Sequence, residues 1–282
     1  MNLSLEEIFA HSVSSYLQQI TCLAVACSGG VDSLALTFVV HAWALEHGKK
    51  FVAVHVDHGL REESAQEALK LEEILLKQDI RLVIKKWRPG QPLQTKVQEQ
   101  ARSVRYALLE QACIEEGAEV LCCAHHLEDQ LETFLMRLLK GSHIQGLCAI
   151  PAQRLLGKVR VLRPFLSCSK ELLHGFLKHK GIQAIEDPTN AGMHYERNRL
   201  RQHVLPYIQQ VYGLNGFETS LKNIAQGVKG LKYFVKEFWK TQIVFYPFGI
   251  IEIPKVPFLE LPQWVGLEII RMCLCSFYPQ HT

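Results

Sequence analysis

A chain of 282 residues, 48% of them hydrophobic, can bury a sizeable core, and this length predicts one large domain with a smaller second one. No apolar run reaches membrane-spanning length, and the opening MNLSLEEIFAHSVSSYL lacks the basic-then-apolar layout of a secretory signal, so the expected location is cytoplasmic with no membrane partner. The net charge of +3 conceals an asymmetry: residues 1–130 carry 12 Lys+Arg against 18 Asp+Glu, residues 131–210 carry 12 against 5, and residues 211–282 carry 7 against 5.

The chain opens its regular structure with the apolar run Leu23–Ala26, followed by Cys27-Ser28-Gly29-Gly30-Val31-Asp32-Ser33 and then by apolar residues at helical spacing up to about Gly48. This reads as strand, glycine turn, helix. FVAVHVDHGL is a second strand ending in His55, Asp57 and His58, and a helix is expected from about Glu62 to Gln78. RLVIKKW, a helix from about Val97 to Glu116, the strand EVLCCAHH and a helix from about Glu128 to Leu139 continue the alternation. That rhythm predicts an α/β fold: an open, parallel, twisted sheet with helices on both faces, Rossmann-like in layout.

Beyond this, LKGSHIQGLCAIP reads as irregular, VRVLRPFL as a strand, and SKELLHGFLKHKG as a helix capped by Ser169 or Ser167 and ended by Gly181. EDPTNAG is a turn, and the helix after it bears Arg197, Arg199 and Arg201. From about Leu214 the pattern changes to a long amphipathic helix reaching Thr241, the short strands IVFY and GIIEI, and a last helix from about Pro262 to Phe277. The predicted division is therefore a catalytic domain over 1–213 and a small, mainly helical domain over 214–282.

In open parallel sheets ligands sit beyond the carboxyl ends of the strands, and the polar candidates fall at those ends. Gly29 and Gly30 allow positive φ and close approach of a ligand, while the helix start beside Asp32 and Ser33 offers unpaired N–H groups to an anion; ordinary helix-start chemistry would use the same residues. The turn has neither the Lys-Ser/Thr of a Walker A loop nor the third glycine of the dinucleotide fingerprint. His126, Asp129 and Glu132 share one helix face behind His125, and their oxygens suit a hard cation such as Mg²⁺ carried in by nucleotide phosphates; a solvated helix start is the alternative. Arg102 and Arg105, three apart beside Tyr106, can clamp a phosphate or simply bear surface charge. The basic middle section suits a polyanion better than a merely solvated face, because the charge balance switches sign along the chain. Nine cysteines with no Cys-x-x-Cys read as buried thiols, with no zinc or iron–sulfur site assigned.

In order, SGGVDS, VHVDHGLR, ARSVRYALLE, AHHLEDQLET, LLKGSHIQGL, RPFL, EDPTN and RNRLR resemble the motif series of the tRNA(Ile)-lysidine synthetases, a branch of the N-type ATP pyrophosphatases (PP-loop family). The resemblance implies ATP-dependent joining of L-lysine to C2 of the wobble cytidine in the CAU anticodon of tRNA(Ile). An adenylated tRNA intermediate forms with loss of pyrophosphate, and lysine then displaces AMP. It also implies that Ser28, Gly29, Gly30, Val31 and Ser33 wrap the ATP phosphates and that Asp32 and Asp129 hold Mg²⁺. Asp32, Arg105, His126 and Asp129 become the catalytic set. Arg102 would support the anionic site, and Glu132, Arg197, Asn198 and Arg201 would face the tRNA or lysine. A homodimer is compatible with it.

Two departures from the family pattern stand out. His143 replaces a glycine and Ala149-Ile150 replace Gly-Met; if position 143 needs positive φ, His costs about 1 kcal/mol there. Asp187-Pro188-Thr189-Asn190 is a milder change. Longer members carry a further C-terminal tRNA-binding domain, so the end at Thr282 implies less tRNA surface or a shortened chain. Rival readings are a tRNA sulfur-insertion enzyme of the same superfamily, against which the missing Cys-x-x-Cys argues, a ligase with no RNA partner, and a catalytically dead RNA-binding protein.

Overall fold

The computed structural model describes residues 3–16, 20–57, 64–87, 97–185, 196–246, 248 and 250–277. His58, Gly59, Leu60 and Arg61 of the second strand's motif, and the EDPTN turn, lie outside the described residues. The chain divides into two compact units, one running to Gly141 and resuming over Ala149–Glu218, the other made of Ser142–Cys148 and the chain from Thr219.

The first unit is built on a six-stranded sheet, in the order β3-β2-β1-β4-β6-β5. Its strands are β1 (Cys22–Ala26), β2 (Lys50–Asp57), β3 (Leu82–Lys86), β4 (Val120–Cys122), β5 (Gln153–Leu156) and β6 (Val159–Leu162). The pairs β3-β2, β2-β1, β1-β4 and β4-β6 are parallel and β5-β6 is antiparallel. The helices of this unit are α1 (Leu5–Val13), α2 (Val31–Glu46), α3 (Ser64–Leu76), α4 (Val97–Glu116), α5 (Leu127–Leu139), α7 (Lys170–His179), α8 (Glu196–Arg199) and α9 (Leu205–Tyr212), with α6 (Ile144–Leu147) in the other unit.

Side chains alternate across a strand, and β1 feeds two cores in this way. Leu23 and Val25 pack with Phe9 of α1, Leu34 and Leu36 of α2, Leu71 and Leu75 of α3, and Leu173 and Leu177 of α7. Cys22, Ala24 and Ala26 pack on the opposite face with Tyr106, Leu109 and Ala112 of α4. Every residue of β1 is buried in consequence, which is why the strand reads as an unbroken apolar run. The crossovers bring the carboxyl ends of β1, β2 and β4 to one edge of the sheet, next to the starts of α2 and α5.

The antiparallel edge strand β5 was not expected. QRLL alternates exposed and half-buried residues on a mostly exposed edge, so it carries no apolar run to betray it. Ser169 caps α7, accepting from the Leu172 N–H at 3.3 Å, and Gly181 follows with φ 67°.

The loop carrying His143 resolves the glycine question differently from the expectation. His143 has φ −57°, so histidine suits it without strain. The positive φ falls on Ala149, at 52°. Neighbouring bonds hold it there: Ala149 C=O accepts from Arg137 Nη1 (2.8 Å), while Ile150 donates its N–H to Gln130 Oε1 (2.7 Å) and accepts from Gln130 Nε2 (3.0 Å). Left-handed backbone costs a residue with a Cβ about 1–2 kcal/mol, and glycine returns roughly half of that through unfolded-chain entropy. Ala149→Gly is therefore expected to stabilise the protein by about 0.5–1 kcal/mol, read as a higher denaturant midpoint; a lower midpoint would show the strain is relieved by other means.

The second unit contains most of α10 (Asn215–Gln242), the hairpin β7 (Val244–Tyr246) with β8 (Ile250–Glu252), α11 (Lys255–Leu259) and α12 (Gln263–Phe277). Its core is Val235, Phe238, Ile243, Val265, Ile269 and Cys273. Where the sequence reading places one cut at 213, the compact units part at 218 and Ser142–Cys148 goes with the smaller one. Ile144 and Gln145 reach it by lining a small cavity with Val228, Leu231 and Trp264. No described helix is long and apolar enough to cross a membrane.

Candidate active site

The turn after β1 is shaped by its glycines. Gly29 has φ 90°, and its C=O accepts from the Ile185 N–H at 3.0 Å. A Cβ on Gly29 would stand 3.0 Å from Ile185 Cδ1, so the position excludes side chains by conformation and by space. Gly30 is the N-cap of α2 and has no side chain to cap it. Ser33 Oγ is turned back into the turn, accepting from the Ser28 N–H (3.1 Å), donating to the Gly30 carbonyl (2.9 Å) and lying 3.1 Å from Ser28 Oγ. Val31 packs its side chain on the core, which leaves the first-turn N–H groups of α2 at an uncapped helix start. Gly29→Ala is expected to cost about 1–3 kcal/mol of stability and to weaken MgATP binding by at least about tenfold. Unchanged MgATP affinity, measured by calorimetry, would remove the turn from the nucleotide site.

Asp32 sits in the first turn of α2. Its Oδ1 is buried without a hydrogen-bond partner among the described residues, and its Oδ2 lies 3.6 Å from His126 Nε2. Burial pushes the Asp32 carboxyl above the usual range, although His126 and Lys170 pull it down. A carboxylate left with a bare oxygen beside an anion cradle is a place for a cation.

His126 caps the start of α5 among three carboxylates. Its Nδ1 is 2.9 Å from Glu128 Oε2, and its Nε2 faces Asp32 and, at 3.4 Å, Asp129 Oδ2. Burial favours the neutral ring, but the Glu128 hydrogen bond and the charges of Asp129 and Asp32 outweigh it and raise the pKa. Glu128 is itself held by the Lys170 N–H at the start of α7 (3.0 Å). His125 behaves oppositely: burial, with Arg163, Arg105 and Arg102 nearby, pushes it down to about 3 against the pull of Asp129, so it stays neutral.

Asp129 and Glu132, one turn apart on α5, meet Arg197 and Arg201. Asp129 Oδ1 accepts from Nη2 of Arg197 (3.1 Å) and of Arg201 (2.9 Å). Glu132, 0% exposed, accepts from Nε of Arg197 at 2.5 Å and from Nε of Arg201. Each guanidinium thus bridges both carboxylates through Nε and Nη2. The two arginines straddle the join between α8 and a π-helical turn, Leu200–Val204, that runs on into α9. Asp129 stays ionised in spite of its burial, because His126, Arg197 and Arg201 hold its carboxyl low.

Arg105 is half-buried and acts electrostatically on His55, Cys123 and His125, whereas Arg102 is exposed and lies over Tyr106 at 5.4 Å. His55 donates from Nδ1 to the Cys27 carbonyl (2.9 Å), bracing the turn from β2, and Asp57 is buried at the end of that strand. Asn198 is half-buried on α8. Beside His125 opens a cavity of about 650 Å³ lined by Arg102, Arg137, Lys140, Arg154, Arg163 and Arg197, with Met136, Ile150 and Pro151 as apolar wall and Glu196 as its one carboxylate among the described residues.

The structure therefore brings Ser28–Ser33, His126, Asp129, Glu132, Arg197 and Arg201 into one chain of contacts, and leaves Arg102 exposed and Arg105 half-buried on α4, both close enough to His125 to act on it. Three contributors were not singled out from the sequence. Glu128 stands in the quoted AHHLED and could have been noticed as the second carboxylate beside His126, while Arg154 and Arg163 carry no local signal beyond the arginine of RPFL.

The sequence profile of the PP-loop domain matches residues 1–208, which contain every group just described. A tRNA(Ile)-lysidine synthase of Chlamydia caviae is 31% identical over 250 residues, covering 86% of this chain and 77% of the relative. The chain belongs to the PP-loop tRNA(Ile)-lysidine synthase family. Its likeness extends to the synthases of Chlamydia pneumoniae, 37% identical over 191 residues (68% of this chain, 59% of the relative), and Wolbachia pipientis wMel, 29% identical over 284 residues (99% and 65%). The chain thus spans less than two thirds of the length of these two synthases. Among solved structures, a U34-tRNA thiolase from Methanococcus maripaludis superposes with a TM-score of 0.64 at 16% identity, over 80% of this chain and 77% of the thiolase, which is a likeness of fold.

Proposed function

We propose that this member of the synthase family joins L-lysine to C2 of the wobble cytidine in a CAU anticodon of tRNA(Ile), in the cytoplasm, at the expense of ATP. The observation that carries the reading is the bare, buried Oδ1 of Asp32 beside the uncapped start of α2 and the Gly29 turn. An anion cradle and an unpaired carboxylate side by side suit a triphosphate together with its divalent cation.

In this reading the amides of the turn and the Ser28 hydroxyl hold the phosphates of ATP. Asp32, with the lone pairs that Asp129 has left, would hold Mg²⁺, which when bound neutralises charge on the phosphates. Carboxylate oxygens suit so hard an ion, and two carboxylates leave most of its six-oxygen shell open to phosphate oxygens and water. The cytidine O2 attacks the α-phosphorus, the bond to pyrophosphate breaks, and O2 becomes part of a good leaving group. The lysine ε-amine then attacks C2, loses a proton and expels AMP with that oxygen. Arg105, half-buried near the strand ends, offers positive charge to the departing pyrophosphate. Protonated His126 keeps the three carboxylates around it from repelling one another and fixes Asp32 toward the nucleotide. The Asp129/Glu132 and Arg197/Arg201 cluster displays both signs of charge within a few ångströms, as an amino acid's ammonium and carboxylate require.

Incubation of the protein with MgATP, radiolabelled lysine and a CAU tRNA(Ile) transcript is expected to transfer label to RNA, with one AMP released per lysine attached. Absence of label in RNA with active, folded protein sinks the reading.

A further inference from the structure

The basic cavity beside His125 is lined by arginines whose N–H groups are not all used among the described residues. Arg163 is only 4% exposed; its Nη1 donates to the Pro151 carbonyl (2.7 Å), and its Nε has no partner among the described residues. Nε and Nη2 of Arg154 are buried in the same condition, and His125 Nδ1 is buried there without a partner among the described residues. Burying such a donor without an acceptor is costly, and the two arginines left in this condition, Arg154 and Arg163, both line this cavity, which suits a ligand rich in acceptor oxygens.

The other cations of the cavity have other work. Arg137 donates to the Ala149 carbonyl, Lys140 pairs with Glu196 (2.9 Å) and Arg197 belongs to the Asp129/Glu132 cluster. Arg102, Arg154 and Arg163 have no carboxylate partner among the described residues. Arg154 is stacked 4.1 Å from the centre of the Tyr106 ring, which also lies under Arg102, so these forks are held in place before any ligand arrives. Fixed guanidiniums of this kind suit phosphate oxygens.

We propose that this cavity binds the sugar-phosphate backbone of the RNA substrate, with phosphodiester oxygens on Arg154, Arg163 and Arg102 and an unstacked nucleoside against Met136, Ile150 and Pro151. The proposal rests on the functional reading above and adds to it the place where the strand is gripped. A free phosphate would fill little of 650 Å³, and cations contributed by α4, β5 and the residue after β6 are spread as a chain of phosphates needs. His125 and His126 are consecutive, one lining the cavity and the other beside Asp32, so the cavity and the proposed ATP site share one stretch of backbone.

The test uses the whole chain with Arg154→Gln and Arg163→Gln, measuring tRNA affinity against salt and MgATP affinity alongside. Each variant is expected to weaken tRNA binding about tenfold and to lower the slope of log Kd against log salt by about 0.7–0.9, equally for CAU and altered anticodons, with MgATP affinity unchanged. Arg154 lies on an edge strand, so its variant decides the matter if the Arg163 variant fails to fold. Unchanged tRNA affinity and slope would overturn the proposal, as would a loss confined to MgATP affinity, which would give the cavity to the nucleotide. Lysine transfer by the wild-type chain is scored separately: its failure speaks against the functional reading, while unaltered salt slopes in the variants speak against the RNA grip.

Discussion

Asp32→Asn is expected to reduce lysine attachment to tRNA by about 10²–10³-fold while leaving the protein as stable as before or slightly more so. The two halves of this expectation have one cause. Asp32 is a half-buried carboxylate whose buried Oδ1 has no partner among the described residues, and its raised pKa means that at neutral pH the folded state carries a charge that burial disfavours. A group whose pKa is raised on folding takes up protons as the chain folds, so its unfavourable effect sets in as pH climbs past its unfolded value and persists at neutral pH. Asparagine keeps the shape and removes the charge. A residue that served only the fold would behave the other way, losing stability when neutralised. Retention of more than a tenth of the activity, with label in RNA counted against time, would exclude Asp32 from the chemistry.

Glu132→Gln is the substitution expected to harm the fold most. Glu132 is fully buried on α5 and takes Nε of both Arg197 and Arg201, so the glutamine would set an NH₂ against a guanidinium donor and leave two cations with one carboxylate, Asp129. Removing one member of a buried ion cluster costs about 3–5 kcal/mol. The arginines are more than a third exposed and can turn toward water, which places the expected loss near the lower end. In a unit of this size that is a fall in Tm on the order of 10 °C. Adding Arg201→Met to Glu132→Gln should recover part of the loss, because the uncompensated charge goes with it. A Tm within 2 °C of wild type, a margin set by roughly 1 kcal/mol, would mean the cluster contributes little and its arginines are free to serve a substrate.

Much of this was legible along the chain because it is local. The alternation of apolar runs with helical spacing sets the parallel sheet, since strands covered on both faces have no polar side to show. The Ser28–Ser33 turn is written in six consecutive residues whose chemistry depends on little beyond themselves. His126, Asp129 and Glu132 share a helix face by spacing alone. Identifying one face does not identify its partner. Arg197 and Arg201 stand 65 to 72 residues from the carboxylates they bridge, and only the packing of the chain brings them there.

The sequence by itself therefore determined the fold class, the glycine turn after β1 and the carboxylate face of α5, because each follows from backbone sterics and periodicity within a few turns of chain. The tertiary structure decided that positive φ falls on Ala149 and not His143, that QRLL closes the sheet as an antiparallel edge, and that Arg154 and Arg163 converge on an unsatisfied cavity. These depend on which distant groups are brought together and which are left bare, and desolvation, which sets the energy of each, is a property of the packed interior and not of any short stretch of residues.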